Sequence, residues 1–177
     1  QFLASGLWAV TVMNEYDHIL GFHKINAFRD AVHNSVGGKE NYFQVEERID
    51  FDPYTILGQK TKGGKITEKD CLVMQEIWKG PHTTGNDFLW YSFLPVGTFW
   101  NKIIPIGSFY YPLIGKRPKC FSLVEQYVHL AFEDPKKDLL HLKIRDFEKV
   151  FDTCIRKLGW LSCDHADLRP FANAGGK

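Results

Sequence analysis

Apolar side chains recur at helical spacing in five places along this chain. The first runs from Ala4 to Glu15, with Leu7, Val10, Thr11 and Asn14 on one side and Trp8 and Val12 beside them. Ile25, Phe28, Arg29 and Val32 predict a short amphipathic helix over Ile25–His33. Thr67-Glu68-Lys69-Asp70 reads as a capping box: the Thr67 hydroxyl meets an orphan N–H and Asp70 reaches back. Beyond it Cys71, Met74 and Trp78 share a face, with Trp78 expected in the core, and Gly80-Pro81 stops the helix. A second capping box, Ser122 to Glu125, opens a helix carrying Val124, Tyr127, Val128 and Ala131, which Asp134-Pro135 ends. The last stripe is Phe147, Val150, Phe151, Cys154 and Leu158 within Arg145–Leu158, with Gly159 expected at the C′ position.

Between the stripes the chain is punctuated rather than periodic. Thr61 to Gly64 is a Lys/Gly turn, and Thr83 to Asp87 is turn chemistry. Phe88 to Phe93 then places four rings, Phe88, Trp90, Tyr91 and Phe93, within six positions. Over residues 94–120, Pro and Gly alternate with Phe99, Trp100, Phe109, Tyr110 and Tyr111, which excludes a long helix and predicts a structured loop with short extended pieces. The expected fold class is mainly α with short strands and long loops (α+β), built as one domain over residues 1–177.

Charge changes this picture little. Twenty-two Lys and Arg face 21 acidic residues, so no net field draws in nucleic acid or an anionic membrane, and neither is expected as a partner. No apolar run approaches the roughly 20 residues of a membrane span. Fourteen Phe, seven Tyr and five Trp suit a carbohydrate- or aromatic-binding surface as well as an ordinary core. Cys71, Cys120, Cys154 and Cys163 form no C-x-x-C pair, which argues against zinc or thioredoxin-like chemistry and leaves disulfides and redox compartment open. The chain starts at Gln1 with no signal-peptide pattern, so it is expected to be processed or a fragment.

Four ordered strings carry a resemblance. They are Trp8-Ala9-Val10-Thr11-Val12-Met13-Asn14, Phe51-Asp52-Pro53, the run from Ile77-Trp78-Lys79-Gly80-Pro81 to Gly85-Asn86-Asp87-Phe88-Leu89-Trp90-Tyr91, and Asp167-Leu168-Arg169-Pro170-Phe171 to Gly175-Gly176-Lys177. They resemble, in order, the "W--VMN", "FDP", "IW-GP----G--LWYG" and "DL--F---GGK" motifs of the tannase and feruloyl esterase family of serine esterases. The resemblance implies the lid domain of an α/β-hydrolase-type carboxylic ester hydrolase, secreted, acting on feruloyl- or galloyl-type esters. The catalytic sheet would be largely absent. The lid would contact the rest of the catalytic domain, and the triad would lie outside the chain, N-terminal to Gln1 in the case of the serine. The 177 residues alone are then expected to be inactive. Trp90, Tyr91, Phe93 and Trp100 are the expected substrate contacts, since an aromatic wall can stack on a phenolic ring.

The chain departs from that pattern at the family's calcium loop, whose aspartates fall on Asn34, Gly37 and Asn41, with Lys39 among them. Calcium needs six to eight oxygen ligands with carboxylates setting the affinity, so the expectation is a loop without its ion and no cofactor. The family's cysteines are replaced at Ile49 and Gly63. No G-x-S-x-G occurs, and Ser35 within Ser35-Val36-Gly37-Gly38 follows a helix rather than a strand, which disqualifies it as a nucleophile. His18 and His23 miss the helical ligand spacing, and Cys163 beside Asp164-His165 does not make a dyad, with helix capping by Asp164 or Asp167 the plainer role. Two other readings stand beside the esterase lid: a non-catalytic helical binding or interaction module, and a degenerate esterase relative retained for ligand binding.

Overall fold

The computed structural model describes residues 3–35, 51–91, 110–111, 115–116, 120, 122–162 and 167–176. The architecture is mainly helical. A π-helical turn, Leu3–Leu7, leads into α1 (Trp8–Glu15), followed by α2 (Phe22–Ser35), a 3-10 turn at Pro53–Ile56, α3 (Glu68–Lys79), α4 (Ser122–Phe132), α5 (Ile144–Leu158) and α6 (Arg169–Asn173). Two antiparallel ribbons are the strands among the described residues: β1 (Lys60–Thr61) with β2 (Gly64–Lys65), and β3 (Tyr110–Tyr111) with β4 (Gly115–Lys116). The second ribbon supplies the extended pieces expected within residues 94–120; most of that loop lies outside the described residues.

Helix α1 is the centre. It packs on α3 and α5, and α4 lies along α5. The sequence suggests a one-sided stripe, yet every residue from Trp8 to Met13 is buried. Helices on several sides explain this, since a helix apolar all round has no solvent face to keep. The one hydroxyl in this run, on Thr11, is satisfied by donating to the Leu7 carbonyl at 3.0 Å.

The ends of the helices show which signals are local and which are not. Thr67 and Asp70 form the predicted capping box, and Gly80, with φ of 85°, ends α3 where expected. α1 ends instead on Asp17, with φ of 44°: the Asp17 N–H bonds to Asn14 O and the His18 N–H to Met13 O, a Schellman arrangement without glycine. Glu133 does the same for α4. Gly159 is not the left-handed C′ residue expected of it; its φ is −61° and the chain continues into a 3-10 turn through Leu161. The start of α5 is capped from a distance, because Ile144 N–H donates to the Glu15 carboxylate at 3.0 Å, while Lys143 reaches the Asn14 and Glu15 carbonyls at the end of α1. Each helix end thereby meets the charge its dipole favours.

α2 is longer than predicted, beginning at Phe22 rather than Ile25, and Ser122 lies inside α4 rather than before it. Trp78 packs against the core edge as expected, between the rings of Phe28 and Phe51, each 6.1 Å away.

Candidate functional site

The aromatic shelf is set by the stop at Gly80. After it, Pro81 O accepts from both Leu89 N and Trp90 N, at 3.0 and 3.2 Å, and His82 bridges Phe88. The predicted turn closes between them. Thr83 N–H donates to Asp87 O at 2.9 Å, and Asp87 N–H to the Thr83 hydroxyl at 3.0 Å. Asn86, with φ of 71°, makes the reversal. This tight return brings Phe88, Trp90 and Tyr91 onto one edge of the helical body. Phe88 and Tyr91 meet edge to face at 5.0 Å, and Trp90 stands 6.1 Å from Tyr91.

Trp90 is half-buried and backed by Phe151 of α5 at 6.4 Å, whereas Phe88 is 62% and Tyr91 72% exposed. Of the four expected substrate contacts, Trp90 and Tyr91 therefore share one surface with Phe88 as a third member. Phe93 and Trp100 lie outside the described residues.

Behind the shelf the rings continue inward. Phe151 stacks on Phe147 at 6.1 Å, Phe147 meets Trp8 at 5.1 Å, and Trp8 meets His82 at 4.9 Å. His82 is buried, which the sequence did not signal. Its Nδ1 lies 2.9 Å from Gly80 O, to which it donates, and Nε2 faces the Glu76 carboxylate at 3.4 Å. Trp8 Nε1–H donates to the Glu76 backbone carbonyl at 3.2 Å. The shelf is thus tied through α5 and α1 back to the C-terminal turn of α3. Nearby Tyr16 has its phenol pKa pushed up by burial and by the Glu76 carboxylate.

A second polar centre sits on the N-terminal turn of α3, away from the shelf along that helix. The Asp70 side chain is fully buried. Its Oδ2 accepts from Lys24 Nζ at 2.6 Å and from Thr67 N and Oγ1, both at 2.7 Å; its Oδ1 meets His18 Nε2 at 2.8 Å. Burial pushes its carboxyl up, but the bonds from Lys24, His18 and Thr67 outweigh that and hold it below the usual carboxylate range. The capping role was legible, but the pairing with His18 and Lys24 was not, because it joins residues 46 and 52 apart.

His18, His82 and His141 each meet a carboxylate, and among the described residues no hydrogen bond joins a Ser, Thr or Cys side chain to any of them. Ser35 is the last residue of α2 and its hydroxyl donates to Val32 O at 2.8 Å. Cys71, Cys120 and Cys154 are buried, and Cys71 and Cys154 are free thiols. Burial pushes the Cys154 thiol up to about 11, and burial with the adjacent Asp70 carboxylate raises Cys71, so neither is a ready thiolate. Among the described residues no three His, Cys, Asp or Glu side chains gather as metal ligands. Asn34 is exposed at the end of α2, and Gly37, Asn41, Cys163 and His165 lie outside the described residues. Asp167 accepts the backbone N–H of Arg169 at 3.0 Å, but it stands one residue before the N-cap of α6, Leu168, and so does not cap the helix as expected.

Comparison with protein-family models, curated proteins and solved structures finds no match. Also, no helix among the described residues is long and apolar enough to cross a membrane.

Proposed function

We propose that the chain is a recognition module whose shelf of Phe88, Trp90 and Tyr91 binds a flat aromatic ring, and that it serves as the lid of a carboxylic ester hydrolase for aromatic esters. The observation that carries the first part is the contrast in burial within one short turn. Phe88 and Tyr91 expose most of their surface while Trp90 is anchored on Phe151, so the shelf offers ring faces on a fixed base. A ligand ring placed there gains an aromatic contact worth about 0.5–1.5 kcal/mol beyond the area it buries. The second part rests on the ordered motifs that resemble the tannase and feruloyl esterase family. In that reading the reactive serine and its partners come from polypeptide outside the described helices.

The test is a titration of the 177-residue chain, followed by tryptophan fluorescence, with methyl ferulate and with a saturated-ring methyl ester of similar size. The reading expects saturable, weak binding of the aromatic ester, with a dissociation constant on the order of 1 mM, and loss of that binding in Trp90→Ala and Tyr91→Ala. Equal affinity for the saturated ester, or unchanged binding in both variants, sinks it. Hydrolysis of methyl ferulate or methyl gallate well above blank by this chain would contradict the placement of the reactive groups elsewhere.

The second reading, a non-catalytic helical binding module, draws on the histidines, which are all committed to carboxylates or carbonyls where their bonds are described. Ring binding that survives with no esterase activity in the longer polypeptide would favour it.

A further inference from the structure

We infer that the β1–β2 hairpin and the side chains flanking it form a docking surface for an anionic lipid headgroup layer. The register places Lys60 directly opposite Lys65, with Lys62 in the turn between them. Like charges facing each other across a two-stranded ribbon are destabilising. All three lysines are exposed, and no ion pair reaches any of them among the described residues. Lys24 does not share this condition, because Asp70 holds it. A ribbon this short keeps a repulsive pair that an external anionic surface would relieve. The chain's net charge of +1 does not bear on this, since the attraction is local and acts within a Debye length.

The hairpin is held in place. Thr61 Oγ1 donates to Gly64 O at 2.7 Å and accepts from Gly63 N at 3.0 Å. Gly63 lies against the start of α2, where a Cβ would come 3.3 Å from His23 Cβ and 3.7 Å from Lys24 Cγ. At the base, Gly58 N–H donates to Ile66 O and Ile66 N–H to Gln59 O, both at 2.9 Å. Beside the base stands Leu57, 46% exposed, and beside His23 stands Phe22, 53% exposed.

Exposed cations on a pinned hairpin, with exposed apolar side chains beside it, match the interface between headgroups and acyl chains. A single-stranded nucleic acid would find lysines and one ring, but Leu57 offers no face on which a base can stack. An acidic peptide would use the lysines and leave both apolar side chains without a role.

The test is co-sedimentation of the full chain with phosphatidylcholine vesicles, with and without about 30 mol % phosphatidylserine. Binding is expected to the anionic vesicles alone, to fall at high salt, and to weaken in Phe22→Ser. Each lysine contributes roughly a fivefold factor near such a surface, so K60E/K62E/K65E should weaken binding by about a hundredfold or more. Circular dichroism of that variant must show a wild-type melt; where it does not, single Lys62→Glu, in the turn, is expected to weaken binding roughly fivefold or more. Equal binding to neutral vesicles, no vesicle binding, or unchanged binding in a folded charge-reversal variant overturns the inference. So does tighter binding to polyuridylate or polyglutamate than to the anionic vesicles.

Discussion

Replacing Asp70 by alanine removes four hydrogen bonds to one buried carboxylate and strands Lys24 and His18. Breaking a buried pair by deleting one partner costs about 3–5 kcal/mol when the other charge stays dry. Here the survivors are not fully dry: the Lys24 and His18 side chains are 15% and 23% exposed and can turn toward water. That lowers the share of the broken pairs to about 2–3 kcal/mol, and loss of the capping box adds about 1 kcal/mol. The expected loss is therefore about 3–4 kcal/mol, read by urea denaturation at neutral pH as a lower midpoint with an unchanged slope.

Asp70→Asn keeps the shape and some acceptor capacity, and should cost less. The pH dependence separates charge from packing. The folded carboxyl is held below its ordinary value, so its stabilisation is complete above the unfolded pKa of about 3.9 and is lost as pH falls through the lower folded value. The gap between wild type and Asp70→Asn should accordingly close on acidification below about pH 4. A loss under 1 kcal/mol for the alanine variant, or a gap that is flat in pH, would refute the account of Asp70 as the charge that ties α1, α2 and α3 together.

Two further outcomes follow from the core. Phe147→Ala empties the position between Trp8 and Phe151 and should cost about 3–5 kcal/mol in denaturation; it should also loosen Trp90, seen as a red-shifted tryptophan emission in the still-folded protein. Cys71 and Cys154 should resist a thiol-reactive dye at pH 8 in native buffer and react only in denaturant, because both are buried and the Cys154 thiol is pushed up to about 11. Rapid native labelling at either of the two, mapped by mass spectrometry, would count against that.

What could be read from the chain alone were the features written within a few residues of one another. Thr67 and Asp70 are three apart, the Gly80-Pro81 stop is adjacent, and the Thr83 to Asp87 turn closes on itself. The stripe on α5 was visible for the same reason, since Phe147, Val150, Cys154 and Leu158 repeat along one face that α1 and α4 cover. The features that escaped depend on distant partners. Glu15 caps a helix that begins at Ile144, and Asp70 fixes Lys24, which extends α2 by a turn no apolar pattern marks. Gly159 had the identity of a left-handed cap, but the chain kept its right-handed sense there for one more turn. Of the site, Trp90 and Tyr91 were picked out by aromatic density, while Phe88 as an exposed member and His82 as a buried one needed the return of the chain over Pro81.

The burial of α1 from Trp8 to Met13 has a consequence for how the molecule is made. An eight-residue helix is too short to persist in water by itself, and its sides are closed by segments that the ribosome delivers far later, Phe147 among them. The portion ending at α3 can pack α1 on α3, but the side of α1 that Phe147 covers stays open until α5 arrives. Cleavage between α3 and α5, followed by separation of the pieces, should leave the apolar side of α1 exposed and both pieces less stable than the whole.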